Sequence, residues 1–428
     1  MEKENEFKGI WWLPENPEDQ IYGTVKSSNE DGTILDLFDS FKSNKGEYEI
    51  ILGFTSNGKC ITLYNSFDIQ KGFSSPGFDT CKIFSNFMFI GKEHLEKKSN
   101  LKFHKSTVYL KNLDEWVNRR ESFKIEQNWK EKEVTINYKL PKSSKIQLSD
   151  NLSLTINPTS KGPSHNIVQK EVKITQQIGC NLDYKRKQNF DKILQDISHF
   201  ENFLTLCSQK PTYPLKFSVI IKKPKEKQNS VFEVYYQVTK PSKIQKDLSP
   251  FDFLVYFRSI EPKFENVIKK WFFTKDILDT CYVPYFNNFY GKQLYTTDKF
   301  LNICRAIEAF HRDTVGEIDP STSRKYHYKK RIIEIMNDCN SSFNFLLKIR
   351  DKDKFAIKIK DFRNDFTHSN PLLNNINKKY LETHYLTEKL TIILTCAILK
   401  YLDFTNREIK IMIENTSLYN GLKYKRKK

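Results

Sequence analysis

The sequence predicts an α+β multidomain chain: a β-rich N-terminal domain, sandwich-like or barrel-like, followed by an all-α helical bundle. Three observations predict it. Hairpin signals crowd residues 1–180. Apolar residues change from strand-like to helical spacing near residue 189. From about residue 294 amphipathic segments succeed one another with short connections. A length of 428 residues suits two or three domains, read here as 1–180, a mixed α/β connecting region over 181–290, and a bundle over 291–428.

In the first domain, ILGFTSNGKCITLYN (51–65) places two apolar runs around Ser-Asn-Gly-Lys, and TVKSSNEDGTILDLF (24–38) has the same form around Asn-Glu-Asp-Gly. Short β-branched or aromatic segments follow at 82–91, 106–112, 133–140, 145–156 and 171–178. NPTSKGPSHN (157–166) reads as a loop by its Pro, Gly and Ser content. Roughly seven or more such strands build a sandwich or a barrel. Trp11 and Trp12 are assigned to packing.

In the connecting region, residues 189–208 carry apolar side chains at helical spacing. Two strand-like runs follow at 215–221 and 230–238, and then a helical segment at 263–273. In the bundle, Thr296, Thr297 and Asp298 suit a helix start, and Phe300, Ile303, Cys304, Ile307 and Phe310 form one stripe behind them. Ile332, Ile335, Met336 and Cys339 repeat the pattern in 328–339. Helical segments are also expected at 343–349, 355–366 and 380–404.

Composition narrows the function classes. No apolar run approaches the length of a membrane-spanning helix, and MEKENEFKG at the N-terminus offers no hydrophobic stretch for a signal peptide. The eight cysteines are scattered singly without CxxC spacing, which suits buried reduced thiols in a cytoplasmic protein better than disulfides or zinc. Phosphate-loop, dinucleotide-binding, HExxH and GxSxG patterns are absent, so no cofactor or metal is expected. A net charge of +18 permits a nucleic-acid partner without requiring one.

The chemistry concentrates in DFRNDFTHSN (361–370). Phe355, Ile359, Phe362 and Phe366 recur at helical spacing and face the core, which directs Arg363, Asn364 and His368 toward the rim or solvent. Asn364 and His368 are one turn apart and can touch. Arg363 and His368 stand about 140° apart around a regular helix and line the two edges of one polar face. Pro371 ends the helix. These side chains suit cleavage of RNA by its own 2′-hydroxyl. An imidazole moves protons near neutral pH, and a guanidinium matches phosphate oxygens. On an exposed helix face the same residues are, from spacing alone, more often ordinary solvated side chains.

Arg363-Asn364-Asp365-Phe366-Thr367-His368 resembles the R-x4-H signature of the HEPN superfamily of ribonucleases, late in a bundle and followed by one more long helix. Arg305 to Arg312 resembles the first HEPN helix, and Gly9-Ile10-Trp11-Trp12-Leu13-Pro14 with Ile21-Tyr22-Gly23-Thr24 resembles the opening of an ApeA-type N-terminal domain. The resemblance implies an abortive-infection endoribonuclease, metal-independent and dimeric or higher-order, with R-x4-H helices apposed. It implies RNA as substrate, with tRNA the expected target, and a phage protein as the expected trigger. It implies that Arg363 holds the scissile phosphate, that His368 handles protons, that Asn364 orients one or the other, and that Glu308 supports them. The alternative is a non-enzymatic, RNA- or partner-binding regulatory protein with a HEPN-like bundle.

Other candidates weigh less. The run Ser323 to Arg331 interleaves five cations with two tyrosines and a histidine, which suits RNA or, equally, a solvated loop and helix start. His311 is expected as a satisfied rim histidine, and His384 with Glu388 as a surface hydrogen bond. The terminal KYKRKK is expected as a frayed basic tail.

Overall fold

The computed structural model describes residues 5–28, 31–42, 46–163, 171–224, 228–238, 247–291, 294–339, 349, 351–368, 376–415 and 419–420. The chain divides into two compact units. One comprises Met1–Asp114, Arg119–Ser198 and Tyr213–Lys240, and the other Glu115–Asn118, His199–Thr212 and Pro241–Lys428. Residues 343–348 of the helix expected at 343–349, the loop end at 164–166, Pro371 and the basic tail lie outside the described residues.

The first unit is built from β1 (Asn5–Leu13), β2 (Asn16–Ser28), β3 (Gly32–Leu37), β4 (Glu47–Thr55), β5 (Cys60–Gly72), β6 (Thr80–Gly91), β7 (Lys102–Leu110), β8 (Phe123–Asn128), β9 (Glu133–Tyr138), β10 (Ser144–Gln147), β11 (Leu152–Lys161), β12 (Thr175–Asn189), β13 (Pro214–Ile221) and β14 (Ser230–Tyr236). β8 and β9 form a separate hairpin, and the other twelve form one antiparallel sheet. Both expected hairpins are present, as β2–β3 and β4–β5.

The choice left open between sandwich and barrel is settled by β6. Along one edge β6 pairs with β5, from Cys60↔Gly91 to Gly72↔Thr80. On the other edge Cys81–Ser85 pairs with β3. The pairings β3–β2–β1–β4–β5 lead back to β6, so six strands close into a barrel and remove their own edges. Trp11, Val25, Leu35, Ile51, Ile61, Leu63 and Ile83 fill it, each fully buried. Gly53 is required by close approach: a Cβ there would stand 2.3 Å from the Trp11 ring. Beyond residue 85 the free edge of β6 changes partner, and Phe87–Ile90 pairs with β14. From there the sheet continues through β13, β7, β12, β11 and β10. Phe190 seals this extension, its ring 5.0 Å from Phe87 and 4.8 Å from Phe89.

Several expectations are corrected. Residues 157–161, read as a loop, continue β11 in register with β12. β10 covers only Ser153–Ile156, so from Asn157 onward β11 is an edge strand, where Pro158 is tolerated. The segment 145–156 is two strands and a turn, and β12 runs on to Asn189. β13 and β14, assigned by sequence to the connecting region, are hydrogen-bonded into the sheet through β7 and β6.

The α-helices among the described residues are α1 (Leu113–Val117), α2 (Phe190–Ser208), α3 (Phe257–Ile260), α4 (Phe264–Phe273), α5 (Asp279–Tyr290), α6 (Thr296–Thr314), α7 (Tyr328–Asp338), α8 (Lys352–Thr367), α9 (Ile376–Tyr401) and α10 (Asn406–Glu414). In the second unit, α5 and α9 pack on α6, and α8 packs on α6 and α7. Between α6 and α7 lies a two-residue-strand ribbon, β15 (Ile318–Asp319) with β16 (Arg324–Lys325). α8 is capped by Asp351, whose carboxylate accepts from the Lys354 N–H at 2.9 Å. No described helix is long and apolar enough to cross a membrane. All eight cysteines are free thiols, seven of them buried.

Candidate active site on the bundle

The site gathers where α6, α7 and α8 meet. α8 buries Phe355, Ala356 and Ile359. One turn later Phe362 and Phe366 close on Phe300 of α6, at 6.3 and 5.8 Å between ring centroids. The buried face therefore contains the expected aromatic stripe, but it is wider than that stripe. Arg363 follows Ile359 by one turn and Ala356 by two, so it stands half-buried at the edge of the buried face. Its Nη2 donates to Glu308 Oε2 of α6 at 2.7 Å. The guanidinium carbon lies over the Tyr328 ring of α7, 4.5 Å from its centroid. Tyr328 is buried, and its hydroxyl donates to the Cys304 carbonyl at 3.3 Å. The Arg363 side chain keeps 29% of its surface, so it is gripped on two sides and still reachable from solvent.

His368 lies just past the last helical residue, as the C-cap. Its N–H donates to the Asn364 carbonyl at 2.9 Å, and both side chains are exposed. The contact between them is thus through backbone. Asp365 points the other way and accepts from Lys379 of α9 at 2.8 Å. Lys358 and Glu382 form a second ion pair between α8 and α9. These pairs leave Asn364 and His368 as the polar end of the exposed face of α8.

His311 is not at the rim but fully buried, with both ring nitrogens bonded. Nδ1 stands 3.0 Å from Arg331 Nη1, and Nε2 stands 2.8 Å from Glu334 Oε2. Arginine can only donate, so Nδ1 accepts and Nε2–H donates to Glu334: the ring is neutral. Burial first, and then Arg331, hold its pKa below the usual 6.5 against the pull of Glu334. The basic run is largely consumed by the fold. Lys325 pairs with Glu317 at 2.8 Å, Lys329 with Asp353 at 2.6 Å, and Lys330 with Asp319 at 2.5 Å. Lys330 first, and Ser321 second, bring the Asp319 carboxyl down to about 2. His384 and Glu388 make the expected surface contact at 3.2 Å.

Tyr328, Glu334 and Arg331 were not singled out by sequence. Tyr328 sat inside a run read as cations interleaved with aromatic rings, for RNA or solvent and not for packing. Its better signal is position: Ile332 and Ile335 follow it at one and two turns, the pattern of a core-facing stripe. Among the described residues no group of three or more His, Cys, Asp or Glu is arranged to hold a metal ion.

The three helices that carry Glu308, Tyr328, Arg363 and His368 belong to one stretch of the helical region. Residues 301–408 match the family described as Apea-like HEPN. Residues 6–271, more than half of the chain, match ApeA N-terminal domain 1, and the chain belongs to this ApeA family. No curated protein and no solved structure matches it.

Proposed function

We propose that this chain is a metal-independent HEPN endoribonuclease of anti-phage abortive infection, working as a homodimer or higher oligomer on cellular RNA, with tRNA the preferred target. In the proposed reaction the 2′-oxygen bonds to phosphorus and the bond from phosphorus to the 5′-oxygen breaks. One proton leaves the 2′-hydroxyl and one reaches the departing oxygen, giving a 2′,3′-cyclic phosphate and a 5′-hydroxyl. Arg363 binds the scissile phosphate through N–H groups that Glu308 does not use, and its charge stabilises the phosphorane-like transition state. His368 transfers protons. Asn364, exposed one turn before it, orients phosphate or imidazole. A second copy apposing its own α8 supplies the second histidine, so that one ring takes a proton while the other gives one.

The observation that supports this reading best is the division of labour along α8. Arg363 is anchored and half-buried, while His368 on the same helix is exposed. An ordinary solvated helix face would need no such anchor. The test is to sequence RNA ends from cells expressing wild type, Arg363→Ala or His368→Ala. New cyclic-phosphate ends are expected only with wild type, and cleavage by purified wild type is expected to survive EDTA. Equal toxicity and equal ends from all three proteins would rule the nuclease reading out.

A further inference from the structure

We infer that Tyr328 is a positioning residue for Arg363: its ring face is the platform that sets the plane of the guanidinium presented to the RNA phosphate. The inference rests on the nuclease reading and adds a residue from a third helix to it.

Glu308 alone cannot fix the guanidinium. A single bond from Nη2 leaves the group free to rotate about that contact. The Tyr328 ring removes this freedom, because a guanidinium centred 4.5 Å from a ring centroid is held by the electron-rich face. The ring itself is fixed. It is buried, and its hydroxyl is tied to the Cys304 carbonyl one turn before Glu308 on α6. Acid and ring are therefore referenced to the same helix. With one Nη occupied by the acid and one face by the ring, Arg363 keeps further in-plane N–H donors for a phosphate, which matches planar recognition. The contact also offsets the cost of half-burying a cation.

The experiment uses the full chain and an end-labelled tRNA pool under single-turnover conditions. Tyr328→Phe keeps the ring face and is expected to cut within about twofold of wild type. Tyr328→Leu removes it and is expected to slow cleavage by about three- to thirtyfold, the range of a partly desolvated cation–π contact. Far-UV circular dichroism of Tyr328→Leu at the assay temperature is expected to match wild type; a lost helical signal would instead mark general disruption. An activity-independent arm measures ethylguanidinium binding to the Arg363→Ala chain by calorimetry. Binding is expected with Tyr328 or Phe at that position, and at least threefold weaker with Leu. Equal ethylguanidinium affinity in all three, or wild-type cleavage by Tyr328→Leu, would overturn the role of Tyr328. Wild-type cleavage by Arg363→Ala would instead overturn the nuclease reading beneath it.

Discussion

Glu308 and Arg363, 55 residues apart in the chain, meet at 2.7 Å across α6 and α8. Both side chains keep about a third of their surface, so the pair contributes little to stability, at most about 1 kcal/mol. Its consequence is geometric, because it holds the cation that the proposed reaction places on the phosphate. Glu308→Ala is therefore expected to melt within a few degrees of wild type and to cleave RNA about tenfold more slowly. Glu308→Gln, which still presents an acceptor oxygen, should fall between the two. Thermal melting and single-turnover cleavage on the same preparations check this.

The acid inside the motif has a different role. Asp365 bonds Lys379 of α9 and faces away from His368's exposed end of the helix. Asp365→Asn is expected to lose less than about 1 kcal/mol in urea unfolding and to leave cleavage unchanged. A large loss of activity from this variant would move the reacting centre to the α8–α9 side.

In the barrel the critical contact is between Trp11 and Gly53, partners in the β1–β4 ladder. The indole lies over the glycine, fully buried, and a Cβ would come within 2.3 Å of it. Overpacking of this kind costs about 1–3 kcal/mol. Gly53→Ala should lower the urea midpoint of the first unit accordingly, and Gly53→Ala with Trp11→Phe should recover part of the loss. Far-UV circular dichroism during urea titration measures both.

What was legible in the sequence, and what was not, follows from the range of the interactions. The β2–β3 and β4–β5 hairpins are written in adjacent residues, because turn chemistry and strand alternation are local. Closure of the barrel is not, since it depends on β6 pairing with β3 and β5 at once. Residues 157–161 read as a loop because Pro158 and Gly162 suit turns, yet pairing with β12 overrides that local preference. In the bundle the stripe of α8 was visible from its period, and Arg363, Asn364 and His368 stood out by residue type. The anchoring of Arg363 was hidden because a charged residue beside an apolar stripe is ordinarily counted as surface. It is counted correctly only when its partners, Glu308 and Tyr328, are known. The same holds for Arg331, buried inside a run that looks like a solvated patch.

That burial yields a pH dependence. Arg331 donates to Nδ1 of His311, and His311 donates from Nε2 to Glu334. Protonating Nδ1 would replace a hydrogen bond with a proton facing a guanidinium in a buried site. Folding therefore favours the neutral ring, and the pKa of His311 lies below 6.5, chiefly because of burial. The sign follows: wherever the unfolded chain binds the proton and the folded one does not, stability rises with pH. The contribution is complete above the unfolded pKa near 6.5 and is lost as pH falls from there through the folded value. One proton limits the slope to about 1.4 kcal/mol per pH unit. Urea midpoints of the second unit measured from about pH 7.5 to 5.5 should fall for wild type. His311→Gln cannot gain a charge at that position, so its midpoint should start lower and fall less. Parallel curves for the two proteins would show that the ring carries its proton in the folded bundle and that the Arg331 contact is not the hydrogen bond described.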